Sequence, residues 1–161
     1  MNEADARDRI WREMARIGTC MLVTQDGDAL RARPMTGRFD AEAEEILFVA
    51  DRRGAKDDEI EQDAEICLTF QDGAAGLYLS VSGTAAVSAD RQALGEVWND
   101  SIDAWFEKGP EDEQAILIRV APEFGEIWDT VDNRLLASVV MLRAEALGQR
   151  PRLSESRKVA I

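Results

Sequence analysis

A cluster of basic residues at one turn is the clearest chemical signal in the sequence. Arg52, Arg53 and Lys56 lie directly after the apolar segment that ends at Ala50 and directly before three consecutive acidic residues. The pattern is that of an apolar strand, then a turn that contains glycine, then a helix that begins with acidic residues. Such a turn directs backbone N–H groups and cations toward one point. This arrangement suits a phosphate monoester, with charge supplied by Arg53 and Lys56. A solvated basic turn, neutralised by the following acids, fits the same pattern, so both interpretations stay open.

The segment predicted as a strand over 29–39 is a second candidate, because it combines arginines with a proline. Arg31, Arg33 and Met35 are two residues apart and share one face, whereas the alternate residues, including Pro34, share the other. Proline removes a donor from the hydrogen-bond ladder, so it marks either a plain edge strand or a place where the ladder opens toward a ligand. Beside Arg33 and Met35, an open edge would let main-chain groups reach a bound molecule.

Three tryptophans and one acidic run complete the set of candidate residues. Trp98 and Trp105 are seven residues apart, which favours packing in the core from one helix or two short ones. Trp128 closes a predicted strand, where an indole either packs or stacks on a planar ring. The acids at 57–59 are consecutive and therefore do not share a helix face, so we predict no metal site there.

Composition excludes several classes of function. The 161 residues carry 32 acidic and 19 basic side chains, a net charge of −13, and no histidine. Without histidine the chain cannot use Ser-His-Asp or Cys-His catalysis, His-ligated zinc or a haem with a proximal histidine. The negative charge argues against nucleic acid or an anionic membrane as a partner.

The cysteines and the N-terminal segment indicate the compartment. Cys20 and Cys67 each lie in an apolar run, where a thiol behaves as a small buried hydrophobe, although a bridge or a redox pair is the alternative. The first residues are too polar for a signal peptide, and no run approaches the ~20 apolar residues of a membrane span. We therefore expect a cytoplasmic protein with reduced thiols.

The hydrophobic periodicity predicts one α+β domain over residues 1–161, mainly antiparallel β, in the form of a small barrel. Its helical parts are an N-terminal helix within 1–18, short helices near 55–62, 90–98 and 102–106, and a C-terminal helix over 133–148, followed by a short tail over 149–161. The six predicted strands are 20–24, 29–39, 46–50, 66–70, 77–87 and 115–128, the last of them interrupted near Pro122 or Gly125.

Several ordered motifs together resemble a known family. They are Leu30–Met35, Ile46–Asp51, the Arg53–Lys56 turn, Trp105–Pro110 and Ile127–Asp129. In this order they resemble the general stress protein 26-like branch of the pyridoxamine 5′-phosphate oxidase-like, FMN-binding split-barrel superfamily. The resemblance extends from about Ile10 to Gly148, nearly the whole chain.

The resemblance implies a six-stranded split β-barrel that forms a homodimer, with FMN bound in grooves at the subunit interface. FAD or a deazaflavin is the alternative cofactor. The implied flavin-binding residues are Arg33, Pro34, Met35, Thr36, Val49, Ala50 and Asp51, with Arg53 and Lys56 at the phosphate and Trp128, or an aromatic residue near Trp105, from the partner subunit. The chain departs from the family pattern at Gly54, where a serine is frequent, and at Ala50, where a threonine is frequent.

The activity implied by this resemblance is that of an FMN-dependent oxidoreductase acting on a small molecule and linked to stress. The alternative is a flavin-binding carrier or sensor without turnover. We further hypothesise that Arg33 lies near the N1/C2=O edge of the flavin, where a cation stabilises the reduced ring. Vitamin B6 oxidation is not expected, because the remaining cations at 150–158 are typical of a solvated tail.

Overall fold

The computed structural model describes residues 3–54, 56–131 and 134–142, and its frame is one antiparallel sheet of seven strands. The strands are β1 (Thr19–Asp26), β2 (Ala29–Asp40), β3 (Glu45–Asp51), β4 (Glu65–Asp72), β5 (Leu77–Ser88), β6 (Ala115–Val131) and β7 (Arg134–Met141). The helices are α1 (Glu3–Ile17), α2 (Lys56–Gln62), α3 (Arg91–Val97) and α4 (Asp100–Asp103), with 3₁₀ turns at Arg52–Gly54 and Gly109–Glu111. The six predicted strands are all present, most of them one to three residues longer than predicted.

The pairing of β6 with two partners closes the sheet into a barrel. The strand order is β3-β2-β1-β4-β5-β6-β7, and β3 also pairs with β6. Residues 115–120 of β6 pair with β3, whereas residues 124–131 pair with β7, and β5 runs along the other side. Strands β1 to β6 therefore form a six-stranded split barrel, as expected, and β7 is added at its margin.

The barrel opens between β2 and β3. These strands are paired only from Gly37 to Asp40, opposite Glu45 to Phe48. Before Gly37, β2 continues along β1, and beyond Phe48, β3 continues along β6. The two strands thus separate toward one end of the barrel, and a gap forms in the wall.

The predicted C-terminal helix over 133–148 is wrong where the structure describes it, because residues 134–141 form strand β7. This segment is mostly apolar, with Ser138 between Leu135–Ala137 and Val139–Met141, and such a segment fits a buried strand as well as a helix. The second half of β6 has a free edge, and β7 satisfies its backbone groups. Residues 133 and 143–148, and the predicted tail over 149–161, lie outside the described residues.

Helix α1 covers one end of the core with the apolar face that its sequence predicts. Ile10, Trp11 and Met14 are buried in the main cluster, and Ile17 packs against it. Gly18 ends the helix with a positive φ of 74°, and its N–H donates to the Met14 carbonyl at 2.9 Å. No helix in the described ranges is long and apolar enough to cross a membrane.

The predicted interruption of β6 is a bulge rather than a break. The register between β5 and β6 shifts after Ser82, so that Gly83 pairs with Pro122 and Glu123 is the extra residue. A Cβ atom on Gly83 would lie 2.2 Å from the Ala121 carbonyl oxygen, which requires glycine at this close backbone approach. The Glu123 carbonyl accepts a hydrogen bond from Leu142 N–H at 2.9 Å, just beyond β7.

Candidate functional site

The gap between β2 and β3 leads into a cleft of about 890 Å³. The structure brings six of the predicted site residues to it: Pro34, Met35 and Thr36 from β2, and Val49, Ala50 and Asp51 from β3. The cleft is also lined by Gly37, Arg38 and Leu47, which the sequence did not indicate as site residues. Because the two strands are separated here, both present backbone edges as well as side chains to the cleft.

Pro34 marks the open ladder, as predicted. It pairs with Met21 of β1, whereas on the opposite side residues 29–36 of β2 have no strand partner in the part of the chain that the structure describes. Free main-chain groups on a strand edge are ready hydrogen-bond partners for a ligand. The cleft therefore offers directional hydrogen bonding beside an apolar wall.

The facing wall comes from α3, α4 and the turn after them, a segment from which sequence reasoning assigned only an aromatic residue near Trp105, and that to the site of the partner subunit. Its lining residues are Val97, Asn99, Asp100, Ser101, Ile102, Trp105 and Phe106. Asn99 caps α4, since its side-chain oxygen accepts hydrogen bonds from the N–H groups of Ser101 and Ile102. The sequence signal for this wall was the pair Trp105-Phe106 just before Gly109-Pro110.

The two tryptophans of this wall differ in environment. The ring of Trp98 packs against that of Phe106 with centroids 5.4 Å apart and planes tilted by 53°, and its indole N–H donates to Asp103 at 3.1 Å. Trp105 is 78% exposed at the cleft. The predicted packing role is therefore confirmed for Trp98 and wrong for Trp105.

The basic turn lies beside the cleft, and its described cations have carboxylate partners. Arg53 donates from Nε and Nη2 to the carboxylate of Asp51, at 2.6 to 3.1 Å, and this contact raises the pKa of Arg53. Arg52 lies 3.5 Å from the buried Asp57 carboxylate. The interpretation as a neutralised basic turn thus describes the contacts of both arginines. The side chain of Lys56 lies outside the described residues.

Arg33 does not line the cleft, because its side chain points toward α2 at the end of the barrel. Its guanidinium donates to Thr24 Oγ1 at 2.6 Å and to the carboxylate of Glu59. Arg31 donates to the same carboxylate at 2.9 Å. Arg31 and Arg33 therefore share a face, as predicted, but this face belongs to the inside of the barrel wall.

Glu59 joins this cluster to α2. Burial alone would raise the pKa of Glu59, but hydrogen bonds from Thr24 and Arg33, together with the charges of Arg33 and Arg31, outweigh it and lower the pKa. The carboxylate is only 5% exposed, yet it stays ionised, because it lies between two guanidinium groups that lower its pKa. For Arg33 to reach a flavin, its guanidinium would have to leave Glu59.

Trp128 lies away from the cleft of its own chain. It pairs with Tyr78 on β5 and with Ala137 on β7, and it is half-buried. Successive cross-strand pairs put it on the outer face of the barrel with Tyr78 and, on β1, Met21. Any contact of Trp128 with this kind of cleft would have to be made in another subunit.

Comparisons with known proteins agree with this architecture. Residues 5–152 match the family described as pyridoxamine 5′-phosphate oxidase like. Protein bli-3 of Neurospora crassa is 32% identical over 84 residues, which cover 47% of this chain and 40% of that protein.

Two solved structures have the same fold. The general stress FMN/FAD binding protein of Xanthomonas citri has a TM-score of 0.71 and 23% identity, covering 80% of this chain and 92% of that one. The general stress protein 26 of Bacillus anthracis has a TM-score of 0.63 and 21% identity, covering 74% and 93%.

Proposed function

This chain belongs to the pyridoxamine 5′-phosphate oxidase-like family, and from that membership we propose that it binds FMN in the cleft between β2 and β3. The observation that carries the proposal is the separation of these strands beside a cleft of about 890 Å³. The similar protein of Xanthomonas citri is described as FMN/FAD binding, which supports a flavin as the ligand.

The lining of the cleft fits an isoalloxazine ring. Val49, Leu47 and Val97 supply apolar surface for the benzenoid end of the ring. The backbone of Pro34 to Thr36, on the open edge of β2, supplies hydrogen-bonding groups for its pyrimidine end. A bound flavin would supply one- or two-electron transfer, and the chain would orient it and control access to it.

The phosphate of FMN would be held by Arg53 and Lys56 at the basic turn. Arg53 is hydrogen-bonded to Asp51, which itself lines the cleft, so its guanidinium is at the rim. The fork of an arginine has five donors, and those not used by Asp51 can bind a phosphate oxygen. One such anion site accommodates a mononucleotide, which is why FMN is preferred to FAD or a deazaflavin.

A homodimer is the proposed assembly, and the outer face of the barrel is the proposed contact. In a chain of charge −13, neighbouring outer positions on β1, β4 and β5 are uncharged: Met21, Val23, Cys67, Thr69, Tyr78, Ser80 and Ser82. Met21 and Tyr78 are each 38% exposed, and a second copy would cover them. Trp128 on the adjoining strand would then approach the cleft of the partner.

We favour an FMN-dependent oxidoreductase acting on a small molecule, with a stress-related role. A flavin carrier or sensor without turnover is the second candidate, because the sequence has no histidine. The titratable side chains described at the cleft are Arg38, Asp51 and Asp100. A reaction that needs a general acid at neutral pH therefore has few groups to use.

The proposal is tested by loading the protein with FMN, dialysing it exhaustively and recording its visible spectrum. We expect about one flavin per chain to be retained, and less retention after parallel loading with FAD or a deazaflavin. A colourless protein that does not quench FMN fluorescence would contradict the cofactor assignment. Steady-state oxidation of NADH and NADPH by the loaded protein then separates the two candidates, since a carrier shows no turnover.

A further inference from the structure

The exposed indole of Trp105 is the feature of the cleft that the proposed flavin site does not explain. Trp105 is 78% exposed, and the N–H of its indole ring makes no hydrogen bond to any described residue. The residues around it are held in place, because Phe106 is buried and packs against the ring of Trp98, and Trp98 is hydrogen-bonded to Asp103. A tryptophan held in a rigid segment with its ring in solvent is typical of a surface that stacks on a ligand.

The charges at this wall favour one class of ligand. Asp100 lines the same wall of the cleft as Trp105 and is exposed, and its carboxylate has no hydrogen bond or ion pair with described residues. The described cations nearby are Arg53, which is bound to Asp51, and Arg38, whose guanidinium reaches the Glu96 carbonyl at 3.5 Å. Once a flavin phosphate occupies the rim, a second anion would meet this phosphate, the carboxylate of Asp100 and a chain of charge −13.

The cleft is large for a site that binds a single small molecule. Its volume of about 890 Å³ is near the upper end of the range for such sites, about 300–1,000 Å³. The β2 and β3 edges form one wall, and the segment from Val97 to Phe106 forms the other. A flavin that lies against the strand edges and Val97 would leave the side chain of Trp105, at the far end of this second wall, for another ligand.

We infer that the flavin-loaded cleft binds a second ligand, a planar aromatic molecule without negative charge, which stacks on Trp105 and is selected by the carboxylate of Asp100. This inference rests on the proposed flavin site and names the substrate class of that site. An indole face attracts cations, and Asp100 adds to this attraction, so a cationic ring binds best and a neutral ring next. Phosphorylated or sulfonated rings are rejected.

Three naphthalene probes that share one ring system and carry a cationic, a neutral or an anionic substituent test this selection: naphthylmethylamine, naphthylmethanol and naphthalene sulfonate. Each is measured by equilibrium dialysis against FMN-saturated protein, with flavin occupancy read from absorbance so that a change in flavin affinity cannot imitate a change in probe affinity. We expect the amine and the alcohol to bind about tenfold more tightly than the sulfonate. Equal affinities for the three probes would overturn the inference.

Variants assign the effect to the two residues. Trp105→Ala should weaken the amine and the alcohol about tenfold, whereas Trp105→Tyr should retain most of the affinity. Asp100→Asn should remove the advantage of the amine over the alcohol, a change of about threefold. The matched controls are Leu30→Ala, at a side chain that is 75% exposed and outside the cleft, and Glu113→Gln, at an exposed acid that does not line it.

The outcomes distinguish this inference from the proposed function. If wild-type protein retains FMN but Trp105→Ala binds the probes as the wild type does, the second-ligand site is wrong and the flavin site is unaffected. If wild-type protein fails to retain FMN, the proposed function fails and the second-ligand site fails with it.

Discussion

Glu59 is the residue that connects the barrel wall to α2, and its contacts have a direct consequence for stability. It accepts hydrogen bonds from Thr24, Arg33 and Arg31 while almost fully buried. Removal of its charge would leave the Arg33 guanidinium, which is 15% exposed, without a carboxylate partner. The cluster therefore couples the inner face of β2 to the helix that follows the basic turn.

We predict that Glu59→Gln lowers the free energy of unfolding by about 1–3 kcal/mol at neutral pH. The control is Glu61→Gln, at an exposed acid on the same helix, which should change it little. Folding lowers the pKa of Glu59. The carboxylate therefore stabilises the fold at pH values above its pKa in the unfolded chain, about 4.3, and this stabilisation is lost as the pH falls through its pKa in the folded protein. Urea titrations of wild type and Glu59→Gln across this range should therefore converge at low pH. A difference that persists at low pH would contradict the assigned charge interaction.

The two cysteines should differ in reactivity. Burial, with a smaller contribution from Cys67, raises the pKa of the Cys20 thiol to about 12, whereas Cys67 is half-buried on the outer face. In native protein at pH 8 that dilution has dissociated into monomers, so that the proposed dimer contact does not cover Cys67, we expect iodoacetamide to modify Cys67 well before Cys20, because the thiolate is the reacting form. Mass spectrometry of the labelled protein measures this, with urea-unfolded protein as the control. Equal labelling rates in the native state would show that Cys20 is accessible.

At the scale of single residues, sequence reasoning identified six residues that border the cleft, but it also assigned Arg33 to the site, and Arg33 does not line the cleft. Alternation along β2 correctly separated Arg33 from Pro34, but the face of the strand does not decide which residues line the cleft, because Met35 shares the face of Arg33 and lines it. The tertiary contacts decide this, because Thr24 and Glu59 bind the guanidinium of Arg33. Trp128 was placed correctly on a strand, but its distance from the cleft depends on closure of the barrel.

At the scale of elements, the structure depends on two glycine-dependent close contacts and on the long strand β6. Gly83 lies at the bulge opposite Pro122, and Gly37 lies where β2 and β3 begin to separate. A Cβ atom at Gly37 would be 2.6 Å from the ring of Phe48. Both positions therefore constrain how the wall bends around the cleft.

We predict that Gly83→Ala destabilises the fold by about 2–4 kcal/mol, because its Cβ atom would meet the backbone of β6 and neither strand can move away. Gly95→Ala is the matched control, since Gly95 lies inside α3 with open space around it. That substitution should be neutral or stabilising, by up to about 1 kcal/mol. Thermal and urea unfolding measure both variants, and equal effects would contradict the close contact at the bulge.

Strands and helices were predicted where the local pattern was unambiguous. The amphipathic spacing of α1 and the apolar runs of β1 to β6 each indicate one type of element. Strand β7 was missed because its mostly apolar sequence, interrupted at Ser138, has no period that distinguishes a strand from a buried helix. Only the free edge of β6, a feature of the tertiary structure, decides in favour of the strand.

At the scale of the whole molecule, the ordered motifs predicted more than any single element did. The resemblance to the general stress protein 26-like branch is confirmed by the family match over residues 5–152 and by the fold of the solved relatives. The assembly stays a prediction. The group of uncharged outer positions on β1, β4 and β5, from Met21 to Ser82, is its structural basis in a chain that is strongly acidic.

We predict that wild-type protein is a dimer by light scattering and that Met21→Glu shifts it toward monomer. A carboxylate at this position would be desolvated in the contact, and in a symmetric dimer its effect would occur twice. Gln92→Glu adds the same charge on α3 and should leave the dimer intact. A monomeric wild type, or equal effects of both substitutions, would contradict the proposed face.

The central claim is that a flavin occupies the cleft between β2 and β3, and a fluorescence titration of FMN tests it most directly. Val49→Trp puts a large ring into the cleft lining, whereas Ala86→Trp adds the same ring at an exposed strand position outside it. We expect saturable quenching with wild type and Ala86→Trp, and an affinity at least about tenfold weaker with Val49→Trp, provided that circular dichroism shows the variant to be folded. FMN binding by folded Val49→Trp at the wild-type affinity would contradict the account.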